Sequence, residues 1–230
     1  MSLRIVLPLC CAVMLLHAAE AQQFLAPHAA IDAAKIIPPP PPDFTPAGRA
    51  DLETVLHVQA DRTPEQLSRA RRVDSQSPFS FGQAVLGDWF KRENLPRAAA
   101  IFDAVERQCE PCIAGAKDIW KRPRPYERDP AVRPSVKLPH SPSYPSGHTA
   151  HAAVWAAVLS AAFPERAKEF SEQVREVMWC RVIGGVHYPT DTTAGQTLGE
   201  ALGDMMVKSA DMEKAVAVIR EEAAPFLKKN

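Results

Sequence analysis

The run from Thr149 to Phe163 is apolar on nearly every side of a helix, and this constrains the whole chain. A helix with no polar stripe must be surrounded by other elements, and one of this length is too short to span a bilayer. The rest of the sequence therefore has to supply partners that pack around it. Directly before the run stands Tyr144-Pro145-Ser146-Gly147-His148. The first helical turn there presents unbonded backbone N–H groups and a serine hydroxyl at the positive end of the helix dipole. Such a place suits an anion, with a histidine beside it. An ordinary capped helix whose histidine faces water would carry the same residues.

The partners are helical. Leu52, Val55 and Leu56 follow Thr45-Pro46 at helical spacing, and Thr63-Pro64-Glu65 reads as an N-cap, a proline at the first position and an acidic first turn. Further helices are expected over about residues 79–92 and 96–108, and from Pro111 to about 121. Another, over about 165–184, carries Phe170, Val174, Val177, Met178 and Val182 and ends at Gly184-Gly185. Thr190 is expected to cap a helix with Leu198, Leu202, Met205 and Met206, and a last helix covers about 211–228. No segment alternates as a strand does, so the expected fold is all-α, a single compact helical-bundle domain.

Two proline-rich stretches interrupt this pattern. Pro38 to Pro42 must be extended polyproline, which makes residues 22–45 an arm on the surface of a catalytic domain spanning 46–230. Between Arg122 and His140, five prolines and little periodicity read as a long loop, a feature usually tied to function. The N-terminus differs again. Arg4, the apolar run Ile5 to Leu16 and the small-x-small pattern Ala19-Glu20-Ala21 read as a secretory signal peptide over residues 1–21, with export to the periplasm or medium after cleavage near Ala21. No later segment is expected to insert stably in a membrane. Lys+Arg and Asp+Glu both number 27, so no basic surface for nucleic acid is implied. Cys109 and Cys112 could close a disulfide or remain thiols, and the sequence leaves open whether the chain forms a homo-oligomer.

Four features in the middle of the chain call for one explanation. Arg181 follows Val177 by four residues and Met178 by three, so helical spacing places it on the core face. Burying a lone charge is costly, so it needs an anionic partner, either a carboxylate or a bound anion. Lys117 and Arg124 lie seven apart, two turns on one face, with Pro123 and Pro125 setting Arg124 just past the helix end. They imply a shared anion suited to a guanidinium, or else Lys117, Lys121, Arg122 and Arg124 form a solvated basic helix end. His187 precedes Asp191 by four residues, and a carboxylate that takes the Nδ1 proton leaves Nε2 free as base, nucleophile or ligand. His148 stands where a bound dianion would keep an imidazole protonated. Together these residues describe phosphoryl transfer without a metal, in which positioning and charge neutralisation do most of what is required.

The order Lys117-Asp118-Ile119-Trp120-Lys121-Arg122-Pro123-Arg124-Pro125, then Pro145-Ser146-Gly147-His148, then Arg181, His187 and Asp191 resembles the three-part signature of the type 2 phosphatidic acid phosphatase superfamily. With its signal peptide and no membrane span, the chain is most similar to the bacterial class A non-specific acid phosphatases. The proline-rich arm and Phe79 to Leu86 resemble that class more loosely. The resemblance implies that His187 attacks phosphorus to give a phosphohistidine, that Asp191 orients it, and that His148 protonates the leaving alcohol and then activates water. It implies that Lys117, Arg124 and Arg181 hold the phosphate oxygens with the Ser146 hydroxyl and the Gly147 N–H. It further implies broad specificity for small phosphate monoesters, transfer to alcohols as a side activity, no cofactor and no metal, while a mildly acidic optimum follows from His148 having to be protonated as His187 stays free to attack. Cys180 departs from the pattern, which has serine there, and puts a minor phosphate contact in doubt.

Three rival readings remain. Vanadium-dependent haloperoxidases of the same superfamily hold vanadate where the phosphatases hold phosphate. His148, His151, His187 and Asp191 could be a metal site, although no carboxylate or cysteine pattern completes it and three cations oppose a divalent ion. An exported module could bind phosphate without turnover. Tyr126, His140 and Tyr144 are candidates for lining the leaving-group side.

Overall fold

A computed structural model describes residues 22–26 and 31–227, so the expected signal peptide, residues 1–21, lies outside the described residues. Among the described residues every regular element is helical: α1 (Ala33–Ile36), α2 (Pro46–Asp61), α3 (Pro64–Asp74), α4 (Pro78–Leu86), α5 (Pro96–Trp120), α6 (Pro125–Arg128), α7 (Gly147–Ala162), α8 (Ala167–Ile183), α9 (Pro189–Val207) and α10 (Ala210–Leu227), with one 3-10 turn at Pro164–Arg166. None of these helices is long and apolar enough to cross a membrane.

Several helix starts follow from single residues. Thr45, Thr63 and Ser77 each precede a proline at the first helical position, and their hydroxyls accept the N–H groups of Gly48, Gln66 and Ser80. The Gln66 and Ser80 side chains return a bond to the cap backbone, closing capping boxes. Other boundaries differ from expectation. The helix expected over 79–92 stops at Leu86, because Gly87 at φ 95° takes a conformation few other residues adopt. The two helices expected on either side of Pro111 are one, α5. A proline inside a helix costs on the order of 3 kcal/mol. Here burial of Phe102 and Val105 before it, and of Ile113 and Ala116 after it, in the same core outweighs that cost. Cys109 and Cys112 consequently sit on one continuous helix as buried free thiols. Thr190 does not cap α9; Tyr188 does, with Pro189 first in the helix, and the Thr190 hydroxyl bonds Asp51 instead.

The apolar helix α7 is central, packed against α9 and α8 and touched by α4, α5 and α10. Its approach to α9 is set by glycines: a Cβ added at Gly199 would stand 2.2 Å from the Ala150 carbonyl oxygen, and one at Gly195 would stand 2.4 Å from that of Ser146. With no side chain between them, the first turns of the two helices meet, and Ser146 N–H donates to the Asp191 carbonyl at 2.9 Å. This contact brings two distant motifs to one place.

The N-terminal arm is bound to the bundle. Phe24 and Ile37 are buried, the Phe24 and Leu25 N–H groups donate to Gln108 Oε1, and the short α1 interrupts the arm before the non-helical prolines. Tyr144 is buried too, with its ring edge-on to Trp120 and its hydroxyl on the Pro38 carbonyl. It anchors the arm and does not line a leaving-group side. The long loop between Arg122 and His140 contains the single-turn helix α6.

Candidate active site

The site is assembled where α5 ends, α7 begins and α8 turns into α9. Helix α5 closes at Lys121, whose φ of 44° is left-handed, and the reversal turns both Arg122 and Arg124 back into the protein. Lys117, one turn earlier, is buried, and its Nζ donates to the Pro142 and Pro145 carbonyls at 2.7 Å each. Arg124 is fastened by Nε to Ser141 O at 2.9 Å and by Nη1 to Val186 O at 2.7 Å. On α8, Arg181 is fully buried and paired through Nη1 with Asp74 Oδ1 at 2.7 Å. Its Nε and Nη2 are buried donors with no partner. A buried guanidinium that leaves two donors unbonded is built to receive an anion, since such donors are otherwise expensive.

The turn after α8 delivers the histidine. Gly185 at φ 71° packs against Pro134 and lets the chain reverse, so that His187 reaches the cations. His187 Nδ1 lies 3.3 Å from Asp191 Oδ2, and its Nε2 lies 3.2 Å from Arg124 Nη1. A carboxylate only accepts and a guanidinium only donates, so the ring is neutral with its proton on Nδ1 and a lone pair on Nε2. Burial, reinforced by Arg124, Lys117 and Arg181, holds its pKa well below the usual histidine value. The lone pair therefore persists in acid.

The two oxygens of Asp191 hold three further groups besides His187. Oδ2 accepts from the Ser143 hydroxyl at 2.5 Å and from Tyr188 N–H at 3.0 Å, while Oδ1 accepts from Arg122 Nη1 at 2.6 Å. Arg122 in turn pairs with buried Asp51 at 2.8 Å and lies over the Tyr188 ring. Ser146 caps α7 by accepting from Thr149 N–H at 3.4 Å and from its hydroxyl at 3.1 Å, and Gly147 opens the helix beside Lys117.

His148 differs from expectation in one respect. Its Nε2 lies 3.2 Å from the Asp74 carbonyl, which can only accept, so the neutral ring carries its proton there and any second proton goes to Nδ1. Burial, with Arg181 nearby, pushes its pKa down to about 4, so on its own the imidazole is neutral over most of the acid range. Burial and Arg124 likewise bring Lys117 down to about 7. Both groups lie in a cluster of positive charge that an anion would relieve.

The structure thus brings together Lys117, Arg124, Ser146, Gly147, His148, Arg181, His187 and Asp191. The Cys180 thiol bonds Glu176 Oε1 at 3.7 Å and none of these side chains. Four further residues, Asp51, Asp74, Arg122 and Ser143, complete the site. Asp51 and Asp74 share the core-facing sides of their helices with Val55 and Ala70, four residues away in each case, and that spacing was the available signal. Among the described residues no group of three or more His, Cys, Asp or Glu side chains is arranged to hold a metal ion.

Known proteins are similar to this chain in sequence and in fold. Residues 108–214 match the PAP2 superfamily. A non-specific acid phosphatase of Salmonella typhi is 29% identical over 222 residues, covering 89% of this chain and 85% of the relative, and that of Salmonella typhimurium is 29% identical over 209 residues, covering 87% and 84%. Among solved structures, a bacterial vanadium-dependent iodoperoxidase (TM-score 0.56, 20% identity, 76% of this chain) and a bacterial vanadium-dependent chloroperoxidase (TM-score 0.58, 15% identity, 80% of this chain) share the fold. The match spans about half of each haloperoxidase, 53% and 52%. Every residue of the cradle and both histidines fall within residues 108–214, the segment that matches the PAP2 superfamily.

Proposed function

We propose that the protein is an exported acid phosphatase that hydrolyses small phosphate monoesters through a phosphohistidine on His187. One observation carries the reading: a neutral imidazole, held by Asp191 at Nδ1, turns its lone pair toward a buried cluster of three cations, in which Arg181 keeps two donors unbonded. A phosphoryl group bound by Lys117, Arg124, Arg181 and the start of α7 has its charge neutralised and lies against that lone pair. His187 Nε2 attacks phosphorus as the ester oxygen leaves. His148 gives that oxygen a proton, then takes one from the water that cleaves the phosphohistidine. Asp191 stabilises the imidazolium formed on His187, much as a carboxylate orients histidine in other nucleophilic sites. When the phosphorylated histidine meets an alcohol in place of water, phosphate is transferred. Residues 1–21 support export to the periplasm or medium by their pattern.

The low pKa of His148 makes proton supply part of the reaction. A phosphate monoester has a second pKa of about 6, so in mild acid it arrives as a monoanion carrying the proton that His148 needs. As pH rises through about 6 to 7 the substrate loses that proton, and Lys117 of the free enzyme, at about 7, loses its own. Both losses act in one direction: kcat/KM falls on the alkaline side, while neutral His187 keeps the acid side active.

The test is hydrolysis of phenyl phosphate by the signal-free chain, with chelator present, across pH. The expected result is metal-independent turnover that declines above neutrality. A rate that rises steadily above neutrality, activity restored only by a metal ion, or halide oxidation with added vanadate and no ester hydrolysis would each overturn the reading.

A further inference from the structure

Beside the cradle lies a cavity of about 290 Å³ between α5 and α7, and Lys117, Gly147 and His148 of the site are among the residues that line it. In the proposed reaction, on which this inference rests, His148 faces the leaving oxygen, so the rest of the alcohol extends into this space. Its walls carry an unusual set of polar groups. His151 Nδ1 lies 2.9 Å from the Gly147 carbonyl and Nε2 lies 3.2 Å from Glu110 Oε2. Both partners only accept, so the ring holds two protons and cancels the Glu110 charge. Glu106 lines the same cavity, and its carboxylate has no hydrogen-bond or ion-pair partner among the described residues. Burial raises its pKa, so it gains from any donor that reaches it.

Two donors are left unbonded on the same walls. Trp155 is 3% exposed and its Nε1–H has no acceptor, and Gln76 Nε2 is buried without one. We infer that this cavity is the leaving-group subsite and selects by charge, taking neutral or cationic alcohols that bear hydroxyl or amino groups and rejecting alcohols that carry a second anion. Their O–H or N–H groups donate to Glu106, and their oxygens accept from Trp155 and Gln76. A second carboxylate or phosphate in the same place would meet Glu106 with like charge and would leave it without a donor.

Glycerol 1-phosphate and 3-phosphoglycerate test this, because they share a carbon skeleton and differ in hydroxyl against carboxylate. At neutral pH the wild-type chain is expected to favour glycerol 1-phosphate in kcat/KM by about tenfold or more, and Glu106→Gln to shrink that ratio by about tenfold. Trp155→Phe keeps most of the packing, and its expected effect is a loss of several-fold on glycerol 1-phosphate. Equal rates on the two esters by the wild type, or a ratio unmoved by Glu106→Gln, would overturn the inference while phenyl phosphate hydrolysis keeps the phosphatase reading intact. Absence of hydrolysis of all three esters would overturn that reading, and the inference with it.

Discussion

Replacing His187 by alanine is expected to lower turnover of phosphate monoesters by about four orders of magnitude or more, because the substitution removes the attacking atom and not merely a contact. Phosphate binding is expected to survive within about tenfold, since Lys117, Arg124 and Arg181 supply the charge that holds the anion and the neutral ring contributes little to it. Initial rates with phenyl phosphate and inhibition by inorganic phosphate measure the two quantities separately. A variant that still turns over at an appreciable fraction of the wild-type rate would mean that water attacks directly and that His187 only shapes the site. The substitution also separates an enzyme from a protein that merely binds phosphate, whose function would persist.

Replacing Arg122 by methionine is expected to cost about 3–5 kcal/mol of folding stability and to lower kcat as well. Arg122 is 4% exposed and bonds two carboxylates, Asp51 at 2.8 Å and Asp191 at 2.6 Å, so methionine leaves both buried without their cation. Asp191 would then lose the partner on Oδ1 while it still has to hold His187 through Oδ2. Denaturant unfolding gives the stability, and the pH profile of kcat separates a misplaced His187 from a general loss of folded protein. Adding Asp51→Asn to Arg122→Met should cost less than the sum of the two single changes, because the variants share one network. A loss below about 1 kcal/mol would place Arg122 among exposed pairs of little consequence.

Arg122 also marks where reading the sequence falls short. Lys121, Arg122 and Arg124 look alike in a basic stretch, and only the left-handed turn at Lys121 decides that Arg122 and Arg124 point inward. That turn depends on the tertiary fold, so spacing alone leaves a solvated helix end open. Arg181 was legible because its helix carries regular core positions, and His187 with Asp191 because a glycine break and a helix start lie on either side of them. The helix starts at Thr45 and Thr63 were legible for a similar reason, each resting on a cap residue followed directly by a proline. Pro111 was misleading, because local propensity marks a boundary there while the core on both sides keeps α5 continuous. The proton state of His148 was illegible: a dianion bound at the helix start suggests a charged ring, and only burial beside Arg181 makes the ring neutral until that anion arrives. Asp74, which bonds both Arg181 and His148 and so links the two, belongs to a helix remote in sequence from either motif.

The central claim is that His187 becomes covalently phosphorylated. Mixing the signal-free chain with a rapidly hydrolysed monoester, quenching in acid within the turnover time and mapping the adduct by mass spectrometry tests it directly. One phosphoryl group is expected on His187, lost on further incubation in acid and absent from His187→Ala. A chain that turns over the ester while His187 stays unmodified at every quench time, or that carries the phosphoryl group on His148, would contradict it.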